Sequence, residues 1–254
     1  MRKYIYSIFL LGLFSCQEEG VVQYTQEKDG LQFSANSSED MTKVFNFATA
    51  TYEEEINGEP KTFYYGDSLA AYTFERVVLD LQGFPTPDER EYKLKTVLVE
   101  DQDSSKVAEV VFEPYYSLAP NQLKDTIKIT VLRPKTRGTY TVGITVDTEG
   151  NEAFFDKGVV EKSILRLDIQ DVYEQPKGWE ERLEWLGEFD EEKYAFMVTV
   201  SKQAFSKENN HMWNETDKYN LELRQALARF NASAAPEDQK KFSFPVTTKL
   251  VWWD

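Results

Sequence analysis

Alternation of apolar and polar residues with a period of two dominates residues 31–169. In residues 127–131, isoleucine and valine occupy every second position, and lysine and threonine lie between them. Because successive side chains of a strand point to opposite faces, this pattern predicts a strand with one buried face. The same alternation occurs in residues 92–98, 140–146 and 165–169. The first part of the chain is therefore expected to be rich in half-buried strands.

Two denser apolar runs, residues 74–81 and 107–112, predict strands that are covered more fully. Clusters of Gly, Pro, Asn, Asp and Ser separate the runs, and no helical periodicity competes with the alternation. Parallel βαβ architecture needs a helix between strands, so its absence from the pattern argues against that class. We predict a mainly β fold, with an immunoglobulin-like antiparallel β-sandwich over residues 30–175.

Residues 176–254 predict a smaller α+β domain, because the segment Pro176-Lys177-Gly178-Trp179 interrupts the alternation. Residues 185–200 are interpreted as a β-hairpin, since large apolar side chains alternate near its end. Residues 217–231 predict one principal helix with a single apolar stripe and Thr216 as its N-cap. Residues 244–253 predict a last strand at a sheet edge, because Pro245 lies near its start.

The first fifteen residues predict a lipoprotein signal peptide. Arg2 and Lys3 precede a short apolar run at residues 4–14, and Ser15 then precedes Cys16, the single cysteine of the chain. The alternative, a transmembrane anchor, needs about 20 apolar residues, and this run is shorter. We predict that Cys16 is the lipid attachment site and that residues 16–29 form a lipidated tether.

The charge of the chain limits its partners. Its formal net charge is −15, and no basic stripe interleaved with aromatic residues offsets it. An acidic surface repels phosphate backbones, so nucleic acid is excluded as a partner. Anionic polysaccharide is disfavoured for the same reason, whereas neutral glycans and cationic proteins remain open.

Tryptophan supplies the candidate ligand-binding residues. All five tryptophans lie in the last third of the chain, and flat sugar faces stack on such rings. Trp252 and Trp253 are neighbours in the predicted last strand, so one of the two is expected to point outward. We predict Trp179, Trp252 and Trp253 as candidates for binding a glycan. The alternative is that packing between the two domains explains most of these rings.

No catalytic residue, metal site or cofactor is predicted. His211 is the single histidine, so no Ser-His-Asp or Cys-His set can be assembled, and we interpret it as a surface-loop residue. Carboxylate pairs such as Glu181 with Glu184, or Glu75 with Asp80, are expected in any chain this acidic. Residues 147–151 contain a fragment of a calcium-loop pattern, for which a plain β-turn is the favoured interpretation.

A family resemblance rests on three stretches read together. They are residues 119–127 with Leu132-Arg133, the segment Pro176-Lys177-Gly178-Trp179, and residues 186–194. In this order they resemble a Bacteroidetes outer-membrane lipoprotein family of unknown function. The resemblance implies a gene context beside SusC/SusD-like importers and surface glycan-binding lipoproteins. It carries no catalytic residue.

Two further short features are similar to Bacteroidetes export signals. Gln17-Glu18-Glu19-Gly20 resembles the surface-export signal of these lipoproteins, and an ordinary solvated tether is the alternative. Asp67-Ser68-Leu69 and Asp125-Thr126-Ile127 match a short O-glycosylation pattern, so Ser68 and Thr126 are its acceptor positions. The expected location is the outer membrane, lipid-anchored and exposed at the cell surface.

The expected function is that of a non-enzymatic accessory protein of an outer-membrane nutrient uptake system, in which the nutrient is a glycan. Its expected partners are outer-membrane lipid, through Cys16, and SusC/SusD-like importer components. The first alternative is a module that binds a glycan or a peptide directly through its C-terminal aromatic residues. The second alternative is a hydrolase that uses a pair of carboxylates.

Overall fold

The computed structural model describes residues 28–35, 41–100, 102–149, 154–205 and 210–246. These residues form mostly strands with a few helices, which confirms the predicted mainly β fold. None of their helices combines the length and the apolar character needed to cross a bilayer. The strands, in chain order, are β1 (Gly30–Phe33), β2 (Thr42–Asn46), β3 (Thr51–Ile56), β4 (Glu59–Tyr64), β5 (Ala71–Gln82), β6 (Arg90–Tyr92), β7 (Leu94–Val97), β8 (Val110–Val111), β9 (Tyr116–Leu118), β10 (Lys124–Leu132), β11 (Gly138–Val146), β12 (Asp156–Lys157) and β13 (Leu165–Asp171).

Two larger sheets are built from these strands. The first has the order β12-β1-β5-β10-β8, and the second has the order β2-β13-β11-β7. Most pairings are antiparallel, but β1 pairs with β12, and β2 with β13, in the parallel sense. The sheets are therefore mixed, which corrects the prediction of a purely antiparallel arrangement. The finer classification as immunoglobulin-like stays a prediction.

One hydrophobic cluster lies between the two sheets. Leu31, Leu79 and Ile129 of the first sheet and Ile144 and Leu167 of the second are all fully buried within it. Burial of each such side chain stabilises the fold by roughly 1.5–3 kcal/mol. The predicted alternation is visible in β13, where every second residue is buried.

The described chain beyond residue 176 contains helices joined by loops and no strand. A 3₁₀ turn at Trp179–Arg182 leads into α1 (Leu183–Leu186), and α2 (Glu191–Ser201), α3 (Asn210–Asn214) and α4 (Thr216–Ser233) follow. The predicted principal helix is confirmed as α4. However, Thr216 is its first helical residue, and the N-cap position belongs to Glu215. The prediction of one principal helix is incomplete, since α2 is a second helix of eleven residues.

Two strand predictions in this region need correction. Residues 185–200, interpreted as a hairpin, form α1 and α2 instead. Residues 244–246 are not a strand, and the remainder of the predicted last strand lies outside the described residues. Within the described residues, the C-terminal region therefore contains helices and loops but no strand, and not the predicted mixture of helix and strand.

A second hydrophobic cluster lies under the helices. It contains Trp179, Leu186, Met197 and Leu223, and it also takes in Ala48 and Tyr173 from the first part of the chain. The helices are thus packed against one end of the sheets, where β13 ends at Asp171. The boundary predicted between residues 175 and 176 stays a prediction.

Candidate functional site

A cleft of about 650 Å³ lies where the end of the second sheet meets α2. We call it the junction cleft. Its volume falls within the roughly 300–1,000 Å³ range of small-ligand sites. Uncharged polar side chains and tyrosines supply much of its lining: Asn46, Thr139, Gln170, Gln175, Tyr64, Tyr173 and Tyr194.

Two other cavities are less suited to a ligand. One, lined by residues at the end of β1 and in β2, β5 and β13, has a volume of about 220 Å³, which is below the usual range for ligand sites. Another, of about 610 Å³, lies beside the β3–β4 hairpin and has only five lining residues, of which Lys61 and Thr62 are exposed. The junction cleft is the one of the three that brings tyrosine rings and several polar groups together.

The segment that leaves β13 forms part of the wall of the junction cleft and is bound both by the sheet and by α2. Asn46, at the end of β2, donates from Nδ2 to the carbonyl of Val172 at 3.3 Å and accepts the Val172 N–H at Oδ1 at 3.4 Å. From the helical side, Glu191 accepts the backbone N–H of Tyr173 at 3.0 Å. The segment that leaves β13 is therefore fixed to the sheet and to α2 at once.

An aromatic stack supports the floor of the cleft. Tyr173 meets Tyr194 edge to face with ring centroids 5.3 Å apart, and Tyr194 meets Trp179 in the same way at 5.6 Å. Such pairs contribute about 0.5–1.5 kcal/mol beyond their buried area. Two lining tyrosines are thus held in place by rings that lie behind them.

An ionic cluster of four residues lies beside the stack. Asp171 accepts from Arg133 through both carboxylate oxygens, at 2.9 and 2.8 Å, and from Arg137 at 2.9 Å. Asp67 also accepts from both arginines, at 2.9 and 2.6 Å. The Asp171 side chain is only 4% exposed, so its charge depends on these partners.

The cluster joins the sheets to α2. Arg133 donates to the carbonyl of Gly66 at 2.7 Å, and the Asp67 N–H donates to Thr199 of α2 at 2.7 Å. The guanidinium of Arg137 lies 5.1 Å from the ring centre of Tyr173. The turn at Gly66–Ser68 is therefore the contact through which the cluster fixes the helical region relative to the cleft.

Burial and charge shift two proton equilibria here. Burial, followed by the negative charge of Asp67, raises the pKa of Tyr173 to about 12. Burial opposes the charge of Arg133, but the hydrogen bonds and charge of Asp171, with the charge of Asp67, raise the pKa of Arg133 above its ordinary value. Both groups therefore keep their protons throughout the physiological range.

The structure corrects the prediction for Trp179. Its side chain is fully buried, its indole N–H donates to the carbonyl of Gly187 at 2.9 Å, and its ring packs on Tyr194 and Phe189. It supports the cleft from behind and cannot stack on a sugar in this structure. Trp252, Trp253 and Cys16 lie outside the described residues, so their predicted roles stay predictions.

Other sequence candidates have structural partners. Glu75 pairs with Lys128 at 2.6 Å and Asp80 with Lys124 at 3.1 Å, so these carboxylates join neighbouring strands and do not face a cleft together. Glu181 and Glu184 are both exposed, on the turn before α1 and on α1 itself. His211, interpreted as a loop residue, lies in α3.

The carboxylates of the calcium-loop fragment are paired with a lysine side chain. Asp147 and Glu149 both bind the Lys95 ammonium, at 3.0 and 2.6 Å. Across the described residues, no group of three or more His, Cys, Asp or Glu side chains is arranged to hold a metal.

Ser68 and Thr126 are both exposed. The Ser68 hydroxyl donates to the carbonyl of Tyr65 at 2.5 Å, and the neighbouring Asp67 carboxylate binds the two arginines. The Thr126 N–H donates to the Asp125 carboxylate at 2.7 Å. Their modification stays a prediction.

Sequence reasoning missed the residues that build the junction cleft. Tyr173 lies in a segment without a clear apolar period, and Tyr194 lies in α2, where the alternation predicts a strand. The contact between their rings depends on that segment being a helix. One signal was present for the ionic cluster. Arg133 and Arg137 flank the turn between β10 and β11, and Asp171 pairs with Gly138 in register, so a correct strand pairing brings them together.

Comparison with known proteins identifies one family. The family model described as "Domain of unknown function (DUF4843)" matches residues 68–203, which is more than half of the chain. The matched segment runs from the Gly66–Ser68 turn through α2, so it includes Arg133, Asp171, Tyr173 and Tyr194. No curated protein matches the chain.

Solved structures show only remote likeness. The apo form of the Calx CBD1 domain aligns at 12% identity and a TM-score of 0.33, over 57% of this chain and 98% of that domain. Bacteroides thetaiotamicron EndoBT-3987 with a Man5GlcNAc product aligns at 9% identity and 0.33, over 56% of this chain and 30% of the other. A Bacteroides ovatus GH5 xyloglucanase in complex with a heptasaccharide aligns at 13% identity and 0.27, over 59% and 20%. Likeness at this level says nothing about the function of this chain.

Proposed function

The chain belongs to the family described as a domain of unknown function (DUF4843), and we propose that it is a lipid-anchored, non-enzymatic protein that binds a neutral glycan in the junction cleft. In this proposal it serves an outer-membrane nutrient uptake system as an accessory at the cell surface. The observation that carries the proposal is the chemistry of the junction cleft. Tyrosine rings and side-chain amides are the groups that stack on sugar faces and exchange hydrogen bonds with sugar hydroxyls.

The charge distribution supports a neutral ligand. The chain carries a net charge of −15, and Glu174 is a lining residue of the cleft. The nearby arginines are bound to Asp67 and Asp171, so their charge is already compensated. None of the described lining residues is a lysine or an arginine, so an anionic ligand would meet the repulsion of Glu174 and of the net charge without a cation in the cleft to offset it.

The lining of the cleft supports binding rather than hydrolysis. Hydrolysis of a glycosidic bond by the common mechanism uses two carboxyl groups on either side of the bond. Among the described lining residues, Glu174 is the single carboxylic acid. The hydrolase alternative therefore lacks its second group at this site.

The anchor rests on the sequence of the first sixteen residues. Acylation of Cys16 would add about 0.8 kcal/mol of membrane affinity per buried CH₂ group. Confinement to the membrane raises the effective concentration of the cleft beside an importer. The resemblance to lipoproteins encoded beside SusC/SusD-like proteins supports such an importer as the partner. Capture of the tagged chain from detergent-solubilised outer membranes, with no importer or companion lipoprotein recovered, would argue against that partner.

A cleft-filling variant tests the ligand site. Neutral glycans are screened on an array, and the best one is titrated by calorimetry against wild type, Thr139→Trp and Thr96→Trp. Thr139 lines the cleft and is exposed, so a tryptophan there fills the cleft without removing a core contact. Thr96 is exposed on β7 of the same sheet and serves as the matched control.

We expect Thr139→Trp to weaken binding by about tenfold or more, equivalent to ~1.4 kcal/mol, and Thr96→Trp to leave it unchanged. Circular dichroism of both variants checks that the fold is retained. Equal affinity of Thr139→Trp and wild type, or the absence of binding to any neutral glycan, contradicts the proposed site.

A further inference from the structure

The described chain begins at one end of the first sheet, where Asp29 precedes β1. Asp29 binds Arg90 at 2.7 Å through its carboxylate, and its carbonyl accepts the N–H of Asp156 at 2.9 Å. We call this end of the molecule the Asp29 pole. It is fixed by contacts from two other segments, residues 83–90, which lead into β6, and residues 154–156, which lead into β12.

Each of these segments carries an exposed phenylalanine. Phe84 is 74% exposed and Phe154 is 55% exposed. Arg90 donates to the carbonyl of Phe84 at 3.4 Å, and its guanidinium lies 4.7 Å from the ring centre of Phe155. The two exposed rings therefore belong to segments that Arg90 ties directly to Asp29.

The position of Cys16 places this end close to lipid. Asp29 lies thirteen positions after Cys16 in the sequence. A coil of that length has a typical end-to-end distance of about 20 Å, and full extension reaches roughly 45 Å. An acylated Cys16 thus confines the Asp29 pole to within roughly 45 Å of the lipid, because this pole is where the tether joins the folded body.

We propose that the Asp29 pole is a membrane-contact surface, at which Phe84 and Phe154 enter the boundary between headgroups and acyl chains. This inference rests on the anchor of the proposed function. Phenylalanine is one of the apolar side chains that peripheral membrane segments bury at this boundary, because its ring has no polar group to keep hydrated. Asp88 and Glu89 follow Phe84 closely and are exposed, so the lipid that fits this surface is zwitterionic rather than anionic.

The contact determines the orientation of the ligand site. β5 runs from Ala71 to Gln82, and Gln82 pairs with Gly30 at the Asp29 pole. At the other end, Ala71 pairs with Leu132, and the next residue is Arg133 of the ionic cluster. Twelve strand residues span roughly 35–40 Å, so contact of the Asp29 pole with lipid would hold the junction cleft at about that distance from the membrane.

The single cysteine makes a direct test feasible. In the full acylated chain the Cys16 sulfur is blocked, so a cysteine introduced by Phe84→Cys or Phe154→Cys carries the one reactive thiol. Leu221→Cys is the matched control, because Leu221 is 54% exposed on α4, in the helical region at the opposite end. An environment-sensitive fluorophore is attached to each variant, and phosphatidylcholine vesicles containing doxyl-labelled acyl chains act as the quencher.

We expect emission at positions 84 and 154 to fall by about half and emission at 221 to stay unchanged, because groups at this boundary lie ~5–10 Å deep. If doxyl lipid changes emission equally at all three positions, while the chain floats with the vesicles and carries one label, the membrane contact alone is overturned. Quenching at 84 that depends on protein concentration, and not on doxyl lipid, assigns the surface to a second copy and overturns it too. Two labels per chain and failure to float overturn the anchor and the contact together.

Discussion

Asp171 is the residue on which the junction depends most. Its carboxylate is almost fully buried and binds two arginines, and those arginines also bind Asp67. Breaking a buried ion pair by removing one partner costs several kcal/mol, because the remaining charge stays buried without compensation. Exposed pairs contribute far less, since water already solvates both charges.

We expect Asp171→Asn to lower the free energy of unfolding by about 3 kcal/mol, because two partly buried arginines lose the buried one of the two carboxylates that they share. The matched control is Glu75→Gln, whose pair with Lys128 has both side chains more than two-thirds exposed, and it is expected to cost less than about 1 kcal/mol. Urea denaturation followed by tryptophan fluorescence measures both. A loss for Asp171→Asn no greater than that of the control would contradict the role of the cluster.

Tyr173 makes a second, pH-dependent contribution at the residue scale. Its hydroxyl is buried and has no hydrogen-bond partner among the described residues, and burial raises its pKa to about 12. In the unfolded chain it would ionise near its ordinary pKa of about 10. Between these values the unfolded state loses the proton first, so stability falls as the pH rises.

We therefore expect the wild type to lose about 2 kcal/mol more than Tyr173→Phe between pH 10 and pH 12, and the two curves to run parallel below pH 9. At neutral pH the variant is expected to be equally stable or slightly more stable, since it removes a buried hydroxyl without a partner. Denaturation of both proteins across this range measures the difference. Parallel curves up to pH 12 would show that Tyr173 does not titrate as described.

At the scale of elements, the burial of α2 explains why its sequence predicts a strand although the segment is a helix. Residues 193–198 are all buried, so the helix has no polar face and no apolar stripe to reveal a period of 3.6. Because these positions are buried on every side of the helix, large apolar residues follow one another closely, and their sequence also fits the alternation expected of a strand. The local signal for a helix was Asp190, which accepts the Lys193 N–H at 2.7 Å as an N-cap, followed by Glu191 and Glu192 in the first turn.

The approach of α2 to the sheets depends on Gly66. Its φ is +58°, and an added Cβ would lie 2.5 Å from the Thr199 hydroxyl oxygen and 2.7 Å from the Thr199 Cα. Gly58, in the β3–β4 turn, also has a positive φ of +81°, but nothing lies within 4 Å of an added Cβ. Substitution at Gly58 therefore introduces backbone strain alone, whereas substitution at Gly66 introduces backbone strain and a steric clash with α2.

We expect Gly58→Ala to lower the free energy of unfolding by about 1–2 kcal/mol through backbone strain alone. Gly66→Ala is expected to cost about 1–3 kcal/mol more, because the methyl group pushes α2 away from the turn. Thermal and urea denaturation compare the two variants. Equal losses would show that α2 does not approach Gly66 as closely as the structure has it.

At the scale of the whole molecule, the parts that could be predicted are those with local patterns. β10, β11 and β13 follow the alternation of residues 127–131, 140–146 and 165–169, and α4 follows its apolar stripe, because burial on one face leaves a period in the sequence. The junction cleft leaves no such period, since it is made by side chains from β2, β11, β13 and α2. Its tyrosines become neighbours only through contacts between distant segments, namely the ionic cluster, the hydrogen bond from Tyr173 to Glu191 and the aromatic stack.

The central claim is that acylation of Cys16 holds this acidic folded body at a lipid surface, since the proposed accessory role and the membrane contact both depend on it. The most direct measurement is metabolic labelling with palmitate, followed by membrane fractionation, of the wild type and Cys16→Ala. We expect the wild type to take up label and sediment with outer membranes, and Cys16→Ala to remain unlabelled and leave them. Label and membrane retention that survive in Cys16→Ala would contradict the account.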